Sequence, residues 1–80
     1  MKTLDEAVVG EVCIVKKVEG DGKYRRRLFD MGLTPGATIY VRKVAPLGDP
    51  VEITIRGYEL TLRKQEGKLV HVEIKEEARS

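Results

Sequence analysis

The groups in this sequence that could do chemistry are one thiol, one imidazole and a run of guanidiniums. Cys13 and His71 are the only cysteine and the only histidine in 80 residues. Nucleophilic catalysis needs a thiol or hydroxyl beside a base, and a structural transition-metal site needs several nitrogen or sulfur ligands at short spacing. Cys13 has no second thiol to share a metal or a disulfide with, and it sits inside the apolar run Val12-Cys13-Ile14-Val15, so it reads as a small buried hydrophobe. His71 alternates with Val70 and Val72 and falls on the solvent side of that pattern. Gly32, Gly36 and Gly48 stand where turns are wanted rather than in a phosphate-cradling loop. No catalytic residue, metal ligand or cofactor site is therefore assigned, and an enzyme is not expected.

Binding needs less: a rigid surface with a few charged and apolar anchors. Two features exceed what folding requires. Arg25, Arg26 and Arg27 are consecutive cations. Leu47 is an apolar residue at the tip of the loop Ala45-Pro46-Leu47-Gly48-Asp49-Pro50, where it either folds over the barrel mouth or meets a partner. Arg25, Arg26, Arg27, Leu47 and Asp49 are the partner-binding candidates. The net charge of +2, with 35% charged residues, gives little reason to expect a polyanion. A dedicated nucleic-acid binder carries a larger clustered excess and exposed stacking aromatics. The four aromatics here are Tyr24, Phe29, Tyr40 and Tyr58, and Tyr24 is assigned to the core.

These residues are positioned by a helix and short strands. Tyr24, Leu28 and Met31 recur at i, i+4 and i+7, one stripe of a helix, which leaves Arg25, Arg26, Arg27 and Asp30 facing water. Asp21 can cap that helix. Gly32 stands at the left-handed C′ position, with Leu33 placed to fold back on the last turn. Pro35-Gly36 supplies the central residues of a type II turn. Upstream, Thr3 to Glu6 fits a capping box, with Leu4, Ala7 and Val8 facing the core. The run from Glu11 to Val18 reads as a strand covered on both sides or bulged. Thr38 to Val44 alternates, with a bulge near Arg42.

Val51 to Lys64 reads as a hairpin. With Gly57-Tyr58 as a type II′ loop, Arg56 opposes Glu59, Ile55 opposes Leu60, Thr54 opposes Thr61, Ile53 opposes Leu62 and Glu52 opposes Arg63. Gln65 to Lys68 reads as a connector, and Val70 to Ile74 as a last half-buried strand. The resulting class is mainly β. It is a small SH3-like barrel of about five antiparallel strands, with one short helix between the first two strands and a short N-terminal helical turn. Residues 1–75 form a single domain and 76–80 a polar tail. No signal peptide or membrane span is visible, so a cytoplasmic protein with no direct membrane insertion is expected.

The stretch RRRLFDMGLTPG, followed by VAPLGDP and IRGYELTLRK, resembles the ferrous iron transport protein A (FeoA) family over roughly Leu4 to Ile74. The resemblance implies the same SH3-like barrel. It also implies a cytoplasmic accessory or regulatory role in bacterial ferrous iron uptake, through docking to the GTP-binding membrane transporter FeoB. Fe2+ enters only through that transport role. One departure is Glu66-Gly67, where the family usually shows Glu-Ala. The alternatives are an interaction domain of the kind found in metal-dependent regulators, or a small-barrel nucleic-acid-binding module. The first would stand here without a helix-turn-helix. Neither oligomeric state nor docking surface follows from the sequence.

Overall fold

The computed structural model describes residues 2–77. The last residues of the expected tail, 78–80, lie outside the described residues. In chain order the elements are β1 (Lys2–Thr3), a 3-10 turn (Leu4–Glu6), β2 (Val12–Val18), α1 (Gly22–Asp30), β3 (Thr38–Val44), β4 (Val51–Ile55), β5 (Tyr58–Leu62), α2 (Lys64–Gly67) and β6 (Val70–Glu76). The strands form one antiparallel sheet in the order β1-β6-β2-β3-β4-β5. The sheet thus has six strands rather than about five, because Lys2 and Thr3 pair with Val72 and His71. That pairing spans only two residues, too short to leave an alternation in the sequence.

The core is built from alternate positions. Cys13, Val15 and Val18 of β2, Ile39 and Val41 of β3, Val51, Ile53 and Ile55 of β4, and Val70 and Val72 of β6 are all buried. Leu28 and Leu33 close it from the α1 side, and Leu4 from the N-terminal turn. Phase breaks in the sequence become bulges: the β2–β6 register shifts between Val15 and Lys17, and the β3–β4 register between Val41 and Lys43. The second is the bulge expected near Arg42.

Three expectations are corrected. The hairpin loop is Arg56-Gly57, not Gly57-Tyr58. Ile55 pairs with Tyr58, Thr54 with Glu59, Ile53 with Leu60, Glu52 with Thr61 and Val51 with Leu62. Both loop residues have positive φ, 49° and 83°, as a type I′ turn requires. The two-residue slip keeps the apolar residues on one face, so face pattern alone could not exclude it. The expected charged cross-strand pairs give way to Arg42, whose Nη1 reaches Glu59 at 2.6 Å and Glu52 at 3.5 Å.

Second, the expected connector is the one-turn helix α2. Glu66 returns to its own N-cap, accepting the Arg63 N–H at 3.0 Å. Glu66 and Gly67 are both buried, and an added Cβ at Gly67 would lie 3.0 Å from the Asp5 nitrogen. Gly67 is thus where α2 approaches the N-terminal turn. Third, Val8 is half exposed rather than core-facing. The turn instead ends on a buried carboxylate: Glu11 accepts the Val8 N–H at 2.7 Å and pairs with Lys2 at 3.1 Å.

Candidate partner-binding face

The helix α1 starts on the Asp21 carboxylate, which accepts from the N–H groups of Lys23 and Tyr24 at 3.1 Å each. It stops at Gly32 with φ +97°. There the Leu33 N–H returns to Leu28 O at 3.0 Å and the Gly32 N–H to Phe29 O at 2.9 Å, the paired bonds of a Schellman cap. Thr34 to Ala37 then make the expected type II turn, with Gly36 at φ +93° and the Ala37 N–H donating to Thr34 O at 3.0 Å. Gly32 and Gly36 thus both have the positive φ that a cap and a type II turn after Pro35 require. Gly57 has a positive φ too, one position later in its turn than expected.

This frame holds the three arginines at the surface. Arg25 lies over the Phe29 ring, 5.1 Å from its centroid. The Nη2 of Arg27 stands 3.8 Å from the Glu66 carboxylate. Among the described residues Arg26 makes no ion pair or side-chain hydrogen bond. The stripe expected to seat the helix is only partly buried. Leu28 is in the core and Met31 half buried, but Tyr24 is 49% exposed. A helix that spends one turn leaving the sheet carries its first periodic residue beyond the core, so Tyr24 joins the surface that the arginines occupy.

Leu47 is 90% exposed and does not fold over the barrel. Its loop is closed beneath it by the Gly48 N–H to Ala45 O at 2.7 Å and the Ala45 N–H to Pro50 O at 3.1 Å. Asp49 supports the fold itself, since its Oδ1 accepts the Lys64 N–H at 3.0 Å and so satisfies the first turn of α2. So α2, the element missed from sequence, joins the two candidate regions. Asp49 ties its start to the 45–50 loop and Glu66 ties its middle to Arg27. Glu66 carried a usable signal, since Arg63-Lys64-Gln65-Glu66 places a carboxylate three residues after an N-cap position.

Cys13 is fully buried, and burial, with the Glu11 carboxylate adding to it, pushes its thiol up to about 11. The Nε2 of His71 meets Glu19 Oε1 at 2.8 Å on the outer face of β6. Among the described residues no group of three or more His, Cys, Asp or Glu side chains could hold a metal ion, and no helix is long and apolar enough to cross a membrane.

Residues 2–74 match the FeoA domain family. A protein of Porphyromonas gingivalis (strain ATCC BAA-308 / W83), described as an Fe(2+) transport protein A/Fe(2+) transporter FeoB fusion protein, is 38% identical over 71 residues. The match takes in 89% of this chain and 8% of that protein, so the chain spans a small part of its curated relative. The NMR structure of a FeoA-like protein from Clostridium acetobutylicum superposes with a TM-score of 0.88 at 37% identity, over 99% of this chain and 92% of that one. The crystal structure of Stenotrophomonas maltophilia FeoA complexed with zinc, described as a procaryotic SH3 domain protein, gives 0.79 at 25% identity, over 91% of each chain. The SH3-like class expected from the sequence is thus the class observed.

Proposed function

Because the chain belongs to the FeoA domain family, linked to ferrous iron transport, we propose that it is an accessory domain that docks on a FeoB-like transporter. The observation that carries this reading is the fusion relative, in which a matching FeoA portion and a FeoB portion share one polypeptide. Two functions joined in one chain work in contact, or at high effective concentration, and separate chains with the same role need an interface instead. The exposed side of α1 and the 45–50 loop supply its anchors. Arg25, Arg26 and Arg27 are the charged contacts, Leu47 is the apolar one, and Asp49 holds the loop against α2.

The docking is cytoplasmic and faces the GTP-binding part of the transporter. Docking that stabilises or regulates the transporter is the simpler mechanism. An arginine supplied in trans to a GTPase can accelerate hydrolysis by about 10³–10⁵-fold, but it reaches the phosphates from an extended loop. The three arginines here stand on a helix of nine residues capped at both ends. Iron is the cargo of the system, and Cys13 and His71 are not its ligands.

The test is a titration of the purified chain against the cytoplasmic part of the FeoB-like transporter, paired with Fe2+ uptake in cells lacking the chain. Saturable binding and restored uptake are expected. No binding by the folded chain, together with unimpaired uptake in its absence, would overturn the proposal.

A further inference from the structure

The nine residues of α1 hold four of the chain's cations, Lys23, Arg25, Arg26 and Arg27, against one acid, Asp30. With a net charge of +2 for the whole sequence, the positive excess is concentrated on this helix. The same helix presents Tyr24, which no packing requirement explains. Tyr24 walls two adjoining clefts. One, of about 460 Å³, is lined by Lys23, Tyr24 and Arg27. The other, of about 270 Å³, runs toward α2 and is lined by Gly20, Tyr24, Gln65, Glu66 and Leu69.

Backbone and side chains keep this hollow open. Gly20, at φ +110°, leaves room where a Cβ would meet Leu69 Cδ1 at 3.2 Å and Tyr24 Cβ at 3.5 Å. Glu66 receives the Arg63 N–H on one oxygen and faces Arg27 with the other, at 3.8 Å. That separation is too long for a direct hydrogen bond. Arg27 is therefore held at the rim with guanidinium donors unspent. Lys23, one turn before Arg27 on the same cleft, makes no ion pair or side-chain hydrogen bond among the described residues.

We infer that the hollow beside Tyr24 receives a protein segment in which an apolar side chain is flanked by carboxylates. The apolar side chain lies between the Tyr24 ring and Leu69, and the carboxylates pair with Arg27 and Lys23. An aromatic wall beside a cation is the composition enriched at interface anchors. The concave shape selects a side chain over a flat lipid surface, and Tyr24, the one aromatic among the hollow's described lining residues, is no stacking platform for a nucleic-acid strand. This inference rests on the docking reading for its partner, a segment of the FeoB-like transporter, and places the decisive contact at Tyr24 and α2 rather than at the outward arginines alone.

The test follows the backbone amide NMR spectrum of the labelled chain. Its probes are short peptides tiling the cytoplasmic part of the transporter, each acidic peptide also made as its carboxamide twin. At least one acidic peptide with an apolar residue should shift Gly20, Tyr24, Arg27 and Leu69. Its twin should bind about tenfold more weakly, the loss of a charge-assisted hydrogen bond. Arg27→Gln and Tyr24→Ser, both at exposed positions, should each weaken binding by a similar factor while leaving the remaining spectrum in place.

If the intact cytoplasmic part binds while no peptide shifts these residues, the inference fails and the docking reading stands. If that part does not bind at all, the docking reading fails. A random peptide library selected on the chain then decides the cleft alone: enrichment of acidic-apolar sequences that Tyr24→Ser abolishes supports it, and no such enrichment ends it. Equal shifts at the same residues with phosphatidylglycerol vesicles or a DNA oligonucleotide, and none with peptides, would overturn it as well.

Discussion

Arg56 lies across Gly32. Its Nε donates to the Gly32 carbonyl at 3.2 Å, and its Nη2 meets Thr34 Oγ1 at 2.6 Å. The tip of the β4–β5 hairpin is thereby fastened to the stop of α1, with the Tyr58 hydroxyl donating to Met31 O alongside. Arg56 itself has a φ of 49°, unusual for a residue with a side chain, and these bonds to the α1 stop offset the strain.

That contact makes a coupled prediction. Gly32 has φ +97°, and an added Cβ would stand 3.2 Å from Arg56 Cδ. Gly32→Val should destabilise by about 1–3 kcal/mol in urea unfolding. In an Arg56→Ala background the steric part disappears and only the backbone strain remains, so the loss should be smaller. Equal losses in both backgrounds would show that Arg56 does not crowd Gly32.

The proposed anchors separate by kinetics. Arg26→Glu with Arg27→Glu should slow association with the transporter's cytoplasmic part and flatten its salt dependence, whereas Leu47→Asp should speed dissociation. Unfolding midpoints should move little, since exposed substitutions usually change stability by about 0.5 kcal/mol or less. Ile53→Asp is the control for loss of fold, because Ile53 is fully buried. Normal binding and uptake by the folded variants would move the interface elsewhere, first to β6 around His71 and Glu73.

Asp49 behaves differently from its neighbour Leu47. Removing its carboxylate frees the Lys64 N–H, so Asp49→Ala should lower stability by about 1 kcal/mol even without a partner. Native-state hydrogen exchange should show the loss at α2 first. Unchanged exchange there would mean that the bond to Lys64 is not held in solution.

The Cys13 thiol sets an alkaline limit. Its ordinary value of 9.0 is raised to about 11 in the fold, chiefly by burial. The unfolded chain therefore releases this proton first, and stability falls as pH rises from 9 toward 11. Cys13→Ala should flatten that decline. At neutral pH the native thiol should react with iodoacetamide only through unfolding, at a rate that urea increases. Fast labelling of the folded protein would contradict its burial.

Weak Fe2+ binding by the isolated chain should be the same after Cys13→Ala with His71→Gln. Tight binding that disappears in this double variant would make the two residues ligands after all. Calorimetry under anaerobic conditions distinguishes the outcomes.

The parts of this fold legible in sequence were those set by one residue's backbone demand. Gly32, Pro35-Gly36 and Asp21 announced a stop, a turn and a cap, and all three stand where expected. The hairpin register was not legible because a two-residue slip preserves which side chains face the core. Tertiary bonds, those of Arg56 and Tyr58 to the α1 stop among them, go with the observed turn. The one-turn helix α2 was hidden for a related reason. Four residues cannot show a helical period; the local bond from the Arg63 N–H to Glu66 was readable, but the Asp49 carboxylate that receives the Lys64 N–H comes from 15 residues away. Tyr24 fitted a helical stripe, but the stripe says which residues share a face and not how far the core extends beneath it.

β6 also carries the chain away from the Tyr24 hollow. The strand ends at Glu76, whereas Leu69, which lines the Tyr24 hollow, precedes its start at Val70. Six residue steps of strand place these ends roughly 20 Å apart. A domain joined beyond Glu76 would thus begin at the end of β6 away from the hollow, whereas one joined before Lys2 would begin near Val72, two steps from Val70. At the Glu76 end linker length, rather than the sequence of the junction, would then decide whether a tethered partner docks on its own copy or on a neighbour's.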